Sequence, residues 1–450
     1  MQANVQSSVD TVNPAGMRAL FLASLGGALE FYDFIIFGTF AGYISKAFFP
    51  ANDPTVSLLL TFMLFAAGYL ARPIGGLFFG DRGDRHGRRG SFVLSLAVMS
   101  AATVAMGLVP SYAQGGVACT LGFVLLRLVQ GFCLGGELPG AITYAVELVP
   151  ERRATFACGL VFGCVTSGVL LATGLNFLLS QAVTAEAMQD WGWRLAFVFG
   201  GLLACAGWLV RRSLEESPAY LVMRQRLAAS GAEQRSGSGP LARVFRRHGA
   251  QVIAGILATS VVATFNGLLF AFLGAYLGRV IGYPPADIGI ALNVASAAMA
   301  ISLLAACWLA DMVVPRLWLY RAGCLVIAAG AVPAFAAMAG KTMSPATLFL
   351  LVGLSAAGTH GTFAAILAHL FPTAERFSGV ALTLNLGAVL FSGPVAAAAQ
   401  ALIAATGDKT APAWLLVGAA VLSFGTSFVI PKVSAVSGRF AVRAAQGAKA

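Results

Sequence analysis

Long apolar stretches separated by short polar ones set the rhythm of this chain. About twelve apolar segments run approximately 17–45, 56–80, 91–109, 117–148, 155–180, 192–210, 249–278, 286–310, 318–339, 345–369, 377–405 and 411–430. Each is near or above the roughly 20 residues a helix needs to cross the hydrocarbon of a bilayer. Glycines and prolines interrupt several of them, and in membrane helices these residues mark kinks and close packing more often than helix ends. The pattern predicts an all-α membrane protein of twelve transmembrane helices.

The polar gaps are not equivalent. Alternate ones collect arginine: Arg82, Arg85, Arg88 and Arg89, then Arg152 and Arg153, then Arg316 with Arg321 beside it, then Arg376. The intervening gaps hold only Lys46, Arg279, Lys341 and Lys409, and the gap 181–191 holds Glu186 and Asp190 without a base. Basic residues favour cytoplasmic loops, so this asymmetry predicts an even number of spans with both termini in the cytoplasm, in a cell inner (plasma) membrane. One gap is long. Residues 211–248 are rich in Ser, Gly, Gln and Arg, and Ser230–Pro240 reads as a flexible linker. The expected organisation is a cytoplasmic tail (1–16), a six-helix domain (17–210), a cytoplasmic linker (211–248), a second six-helix domain (249–430) and a cytoplasmic tail (431–450). Two such halves are the plan of a transporter with its pathway between them.

Composition agrees. The 450 residues are 58% hydrophobic and 10% charged, with a mean hydropathy of +0.82; a soluble chain carries about 25% charged residues. The net charge of +11 reflects basic residues collected in loops and not a nucleic-acid-binding surface. The 7 cysteines fall mostly in apolar stretches without CxxC spacing, so they read as small hydrophobes. The first sixteen residues lack a basic region ahead of a cleavable apolar core, so the first apolar segment is expected to be retained as a span. Neither a phosphate-binding GxxxxGK[ST] loop nor a metal motif occurs, and no cofactor is expected.

Ionisable residues inside apolar spans are costly and mark function by default. Span 1 carries Glu30 and Asp33, three apart and therefore on a shared helix face; span 4 carries Arg127 and Glu137. The depths of Asp33 and Arg127 allow a pair, and a carboxylate that alternates between a proton and an arginine is the chemistry proton coupling requires. The competing reading is a structural ion pair. Glu137, between glycines and Pro139, is either a second protonatable site or a lock for a kinked helix. Tyr32 beside the acids, Arg194 at the outer opening of span 6, His360 in GTHGTF and Asn385 in span 11 are candidate substrate contacts; His369 is not. The loop GDRGDRHGRR holds Gly80, Gly83, Asp84, Arg85, Gly87, Arg88 and Arg89. Orientation alone would need its arginines but neither Asp84 nor the glycines. Arg152, Arg153 and Glu147 at the end of span 4 are its expected partners.

The stretches RPIGGLFFGDRGDRHGRR and RLVQGFCLGGE closely resemble the major facilitator superfamily. LGGALEFYDFIIFG, ELVPERRATF, GWRLAF and FPTAERFSGVALTLNLGAVLF are similar to its metabolite:proton symporter branch, which includes permeases for citrate, 2-oxoglutarate, shikimate and proline or betaine. The resemblance implies alternating access, a latch of the inward-closed state carried by Asp84, Arg88 and Arg89, and an Asp33–Arg127 coupling pair of the kind found in related proton-coupled sugar carriers. It also implies a second latch between spans 8 and 9. Here LADMVVPRLW keeps Asp311 but loses the GRR ending, so closure is expected to lean on the first loop, with Arg316 only a topology residue. The reading is a monomeric, proton-coupled symporter of a small polar metabolite, a zwitterion or organic acid. Alternatives are an uncoupled facilitator and a non-transporting sensor or scaffold. Counting Arg127 as the main fixed cation favours a zwitterion or monocarboxylate over citrate.

Overall fold

The structure is a computed structural model that describes residues 14–50, 54–230 and 239–434. Twelve helices form its frame: α1 Pro14–Thr39, α2 Pro54–His86, α3 Arg88–Leu108, α4 Tyr112–Leu148, α5 Glu151–Ala182, α6 Ala185–Arg211, α7 Gly249–Ile281, α8 Ala286–Met312, α9 Arg316–Gly340, α10 Pro345–Leu370 and α11 Thr373–Thr406, with α12 Ala413–Thr426. Ten of them are long and apolar enough to cross a bilayer among the described residues. α2 ends in the charged GDRGDRH run, and α12 is a shorter apolar helix. The predicted first span is broken: the chain leaves helical geometry at Phe40, and Ala41–Phe48 forms a separate helix that buries Ile44 and Phe48.

The two groups of six helices meet along two seams, α2 against α11 and α5 against α8. Small residues permit both, because lipid gives helices no hydrophobic reason to associate and close backbone approach must supply the attraction. α7 and α11 contain π-helical turns at Gly267–Phe272 and Ala388–Ser392. Such turns widen a helix locally and often occur at functional sites. Between the halves, Pro218–Ser230 and Pro240–Arg247 are helical, so the described parts of the expected linker are ordered as two helices. Residues 231–238, most of the stretch read as flexible, lie outside the described residues. The boundary at 211 needs correction: Arg211 is the last residue of α6 and is 1% exposed.

Candidate functional site

A cavity of about 100 Å3 lies between the halves. Glu30, Phe31, Phe34, Tyr69, Arg72 and Arg127 line it from one side, and Thr259, Asn266, Phe363, Asn385 and Ser392 from the other. Helical spacing explains the wall on α1: Phe31 and Phe34, three apart, flank Glu30 on the cavity side. Asp33 sits behind them, 3% exposed. Its Oδ2 accepts from Thr103 Oγ1 at 3.0 Å and from Gln130 Nε2 at 2.9 Å. Gln130 in turn accepts from Arg127 Nη1. Glutamine thus joins the expected acid and base, one turn along α4 from the arginine. Arg127 also stacks on Phe37, 4.2 Å from the ring centre.

A second cation enters the cavity that the sequence reading passed over. Arg72, inside the YLARPIGG stretch, forms an ion pair with Glu30 and lies 5.2 Å from the centre of the Tyr69 ring. Taking Arg127 as the main fixed cation was therefore incomplete. Two polar atoms here, Glu30 Oε2 and Arg72 Nε, are buried without a hydrogen-bond partner in the structure. Leaving such groups unsatisfied costs about 1–3 kcal/mol each, more for charged ones. One atom calls for a donor and the other for an acceptor.

Several expected contacts fall elsewhere. Tyr32 points into its own bundle and donates to the Ala196 carbonyl at 2.7 Å, because neighbouring helix positions face in different directions. Glu137 pairs with Arg211 at 2.5 Å and accepts from Ser95 Oγ at 3.0 Å. Arg211 also donates to Ala23 O at 2.5 Å, so the pair ties α1, α3, α4 and α6 together and reads as the lock. Arg194 donates to the Gly107 and Val109 carbonyls at the end of α3 and stacks on Trp193, 4.6 Å from the ring centre. It fastens a helix terminus whose last carbonyls need donors. His360 lies just behind the lining, its Nε2 3.1 Å from Asn266 Oδ1. Asn385 does line the cavity, and its amide donates across the seam to Gly135 O at 2.8 Å.

At the arginine-rich end side-chain contacts tie the halves together. Arg88 is fully buried: it donates to Asp84 at 2.5 Å, to Gly83 O at 2.8 Å, to Glu147 at 3.1 and 3.2 Å, and to Thr373 O at 2.5 Å in the opposite half. Asp84 accepts from the backbone N–H groups of Phe377 and Ser378 at 3.2 and 2.8 Å, the exposed donors at the start of the helix Arg376–Gly387. A carboxylate there satisfies orphan donors and meets the positive end of the helix dipole. Arg376 returns the contact by donating to Glu147 at 3.0 Å. Gly80 packs on Ser378, and a Cβ at Gly83 would stand 2.2 Å from the Phe377 ring, so this approach excludes any side chain. Gly87 turns the chain into α3 at φ 108°, where other residues are strained. Arg85 pairs with Asp81 at 2.6 Å, and Arg89 donates to Arg212 O at 2.6 Å. Arg152 and Arg153 were expected as partners, but both are exposed; the partners that close around Glu147 are Arg88, Arg376 and Ser217. Glu216, also unforeseen, accepts from the Arg88 N–H at 2.9 Å.

Contacts also join the halves at the loop between α8 and α9, despite its altered sequence. Asp311 accepts from the Thr155 and Phe156 N–H groups at 3.2 and 2.8 Å, at the start of the opposite half's α5 helix. Arg316 lies 3.2 Å from His369 Nδ1 and 3.5 Å from Glu151 O. Setting Pro150 against Pro372 puts Thr155 with Phe377, Phe156 with Ser378, Glu151 with Thr373, and Glu147 with His369. The grip of Asp84 on two backbone N–H groups and the reach of Arg88 to Thr373 O then have counterparts in Asp311 and in Arg316 with Glu151 O, whereas the Arg88–Asp84 and Arg376–Glu147 pairs do not. That register was the readable signal, and Arg316 and His369 are not bystanders.

The sequence profile of the Major Facilitator Superfamily matches residues 23–393. The chain is 30% identical to a proline/betaine transporter of Salmonella typhimurium, over 91% of this chain and 82% of that protein. It is 29% identical to a citrate-proton symporter of Klebsiella pneumoniae (95% and 94%) and 34% identical to the inner membrane metabolite transport protein YhjE of Escherichia coli (83% and 84%). Among solved structures, its fold matches the proton:xylose symporter XylE bound to 6-bromo-6-deoxy-D-glucose with a TM-score of 0.73, at 19% identity, covering 94% of this chain and 96% of that one. A twelve-helix frame in two halves, a charged cavity between them and these relatives agree: the chain belongs to the Major Facilitator Superfamily, among transporters and not enzymes.

Proposed function

We propose that the protein is a proton-coupled symporter that imports a small metabolite presenting a carboxylate together with a cationic or hydrogen-bond-donating group, a zwitterion or a hydroxy acid, across the inner membrane. The observation that carries this reading is the unsatisfied Glu30–Arg72 pair in the cavity wall. A substrate carboxylate suits Arg72 Nε and the nearby Arg127. An ammonium, hydroxyl or proton suits Glu30 Oε2. With Glu30, Arg72 and Arg127 as the charged lining, a multiply charged anion such as citrate leaves negative charge uncompensated in a desolvated site. The relatives are named for proline/betaine and for citrate with protons, which supports both the substrate class and the coupling ion.

Asp33 is the coupling group in this reading. Gln130 connects it to Arg127, so a substrate that draws Arg127 toward the cavity weakens the hold on Asp33 and changes its proton occupancy. The arginine-rich end faces the cytoplasm, and the latched halves leave the cavity closed on that side. Paired uptake and counterflow in proteoliposomes test the proposal. Asp33→Asn should abolish accumulation driven by an acid exterior while retaining exchange between equally loaded sides. Proline, betaine and shikimate should compete better than citrate. Accumulation by the D33N variant against its gradient refutes the coupling role, and a wild type that equilibrates solute without responding to pH is a facilitator.

A further inference from the structure

A second, larger cavity of about 340 Å3 lies wholly within the second half, walled by α7, α9, α10 and α12. Its origin is local. α9 contains Gly330 and Pro333, and Pro333 cannot donate the i to i−4 hydrogen bond that would keep the helix straight. α10 is interrupted between Ser355 and Ala357. Two neighbouring helices irregular at the same level leave a gap that the surrounding side chains do not fill. Leu268, Leu273, Ile327, Phe335 and Leu348 form its buried floor.

The chemistry of the lining restricts what can enter. Ser355 brings the only side-chain hydroxyl, and it already donates to Val352 O at 2.7 Å. No other side-chain polar atom lines the cavity, and apolar cavities of this kind do not hold water. The rim residues Val326 and Leu351 are 53% and 50% exposed on membrane-spanning helices, so the mouth opens to bilayer hydrocarbon. The volume falls in the range of small-molecule sites. Toward the end of α9 the cavity reaches Met338 and Met343, which bracket the exposed Lys341. Its ammonium donates to the Gly282 carbonyl at 3.1 Å, and its remaining N–H groups are the cationic donors that a phosphate at the membrane surface would meet. We propose that this cavity binds an acyl chain of a bilayer phospholipid, inserted between α9 and α10 with its phosphate beside Lys341. The bound chain packs against Leu268 and Leu273, in and just beyond the π-helical turn of α7 that follows the cavity-lining Asn266.

The test uses the full-length protein in phosphatidylethanolamine nanodiscs doped with phosphatidylethanolamine carrying a mid-chain diazirine, or with diazirine-labelled palmitate. Photolysis is followed by peptide mass spectrometry. The phospholipid should label the buried Ile327, Phe335 and Leu348 as well as the exposed Leu325 and Leu350. An added Cβ at Gly330 meets no atom within 4 Å, so a Gly330→Phe side chain starts from open space at the mouth. It should cut buried labelling at least tenfold while exposed labelling persists; Val326→Trp at the rim serves if that variant does not fold. Buried labelling that is absent, or unchanged in these variants, overturns the proposal. Labelling of the buried residues by palmitate alone overturns the phospholipid as occupant.

Discussion

Replacing Asp311 tests the reciprocal contact most directly, because the loop that holds it reads as degenerate while the structure gives it two backbone donors in the opposite half. Asp311→Ala removes the acceptor of two N–H groups, Thr155 at 3.2 Å and Phe156 at 2.8 Å. Losing an N-cap acceptor costs about 0.5–2 kcal/mol, and losing a negative charge at a helix N-terminus costs about 0.3–1 kcal/mol more. A combined effect of about 2 kcal/mol multiplies the open population at these amides by about 30. Asp311→Asn keeps an acceptor oxygen and loses only the charge, so its effect should be about 2–5-fold. Hydrogen exchange of the reconstituted protein, read on peptides spanning Thr155–Phe156 and Phe377–Ser378, reports each latch separately. Asp84→Ala should accelerate the second peptide, and by more, since it also takes a partner from buried Arg88. Exchange at Thr155 and Phe156 within twofold of wild type in D311A would show that the contact carries no load and that closure leans on the first loop alone.

Other variants probe the rest of the site. Arg72→Ala leaves Glu30 buried without its ion-pair partner and should destabilise the protein by about 3–5 kcal/mol, seen as a lower melting temperature that Glu30→Gln restores in the double variant. Gly26→Ala would set a Cβ 1.9 Å from Glu137 Oε1 and 2.1 Å from Arg211 Nη2; thermal unfolding should show a loss of about 1–3 kcal/mol as the ion pair is forced apart. Cysteines introduced at the latch loop and in the Pro218–Ser230 helix should react with a membrane-impermeant thiol reagent only from the cytoplasmic side; labelling from outside would reverse the assigned orientation.

The frame was legible because lipid imposes it: hydrophobic length and arginine bias suffice to lay out twelve spans in two halves. The charged residues on α1 and α4 were legible for the same reason, since a charge within an apolar run stands out. What stayed hidden were groups at the margins of those runs. Arg72 lies next to a proline inside an apolar segment, and Arg211 follows an apolar segment and reads as the start of a linker, yet both are partners of buried acids. Gln130 carries no charge and gave no signal, although it joins Asp33 to Arg127. Tyr32 erred in the other direction: adjacency to an acid in sequence says little about direction on a helix, and one position of rotation turned it from the cavity into the bundle.

The crossed arrangement at the arginine-rich end also dictates how it can come undone. Asp84 grips a helix start in the far half, and Asp311 grips the equivalent start in the near half. A tilt that pivots on one seam would spare that seam's grip and tear the other, so the remaining grip would pull the halves back. Separation about the axis relating the halves strains both grips equally, and rupture of either transfers its load to the one left. Release at this end should therefore be abrupt, with little population between fully gripped and fully parted.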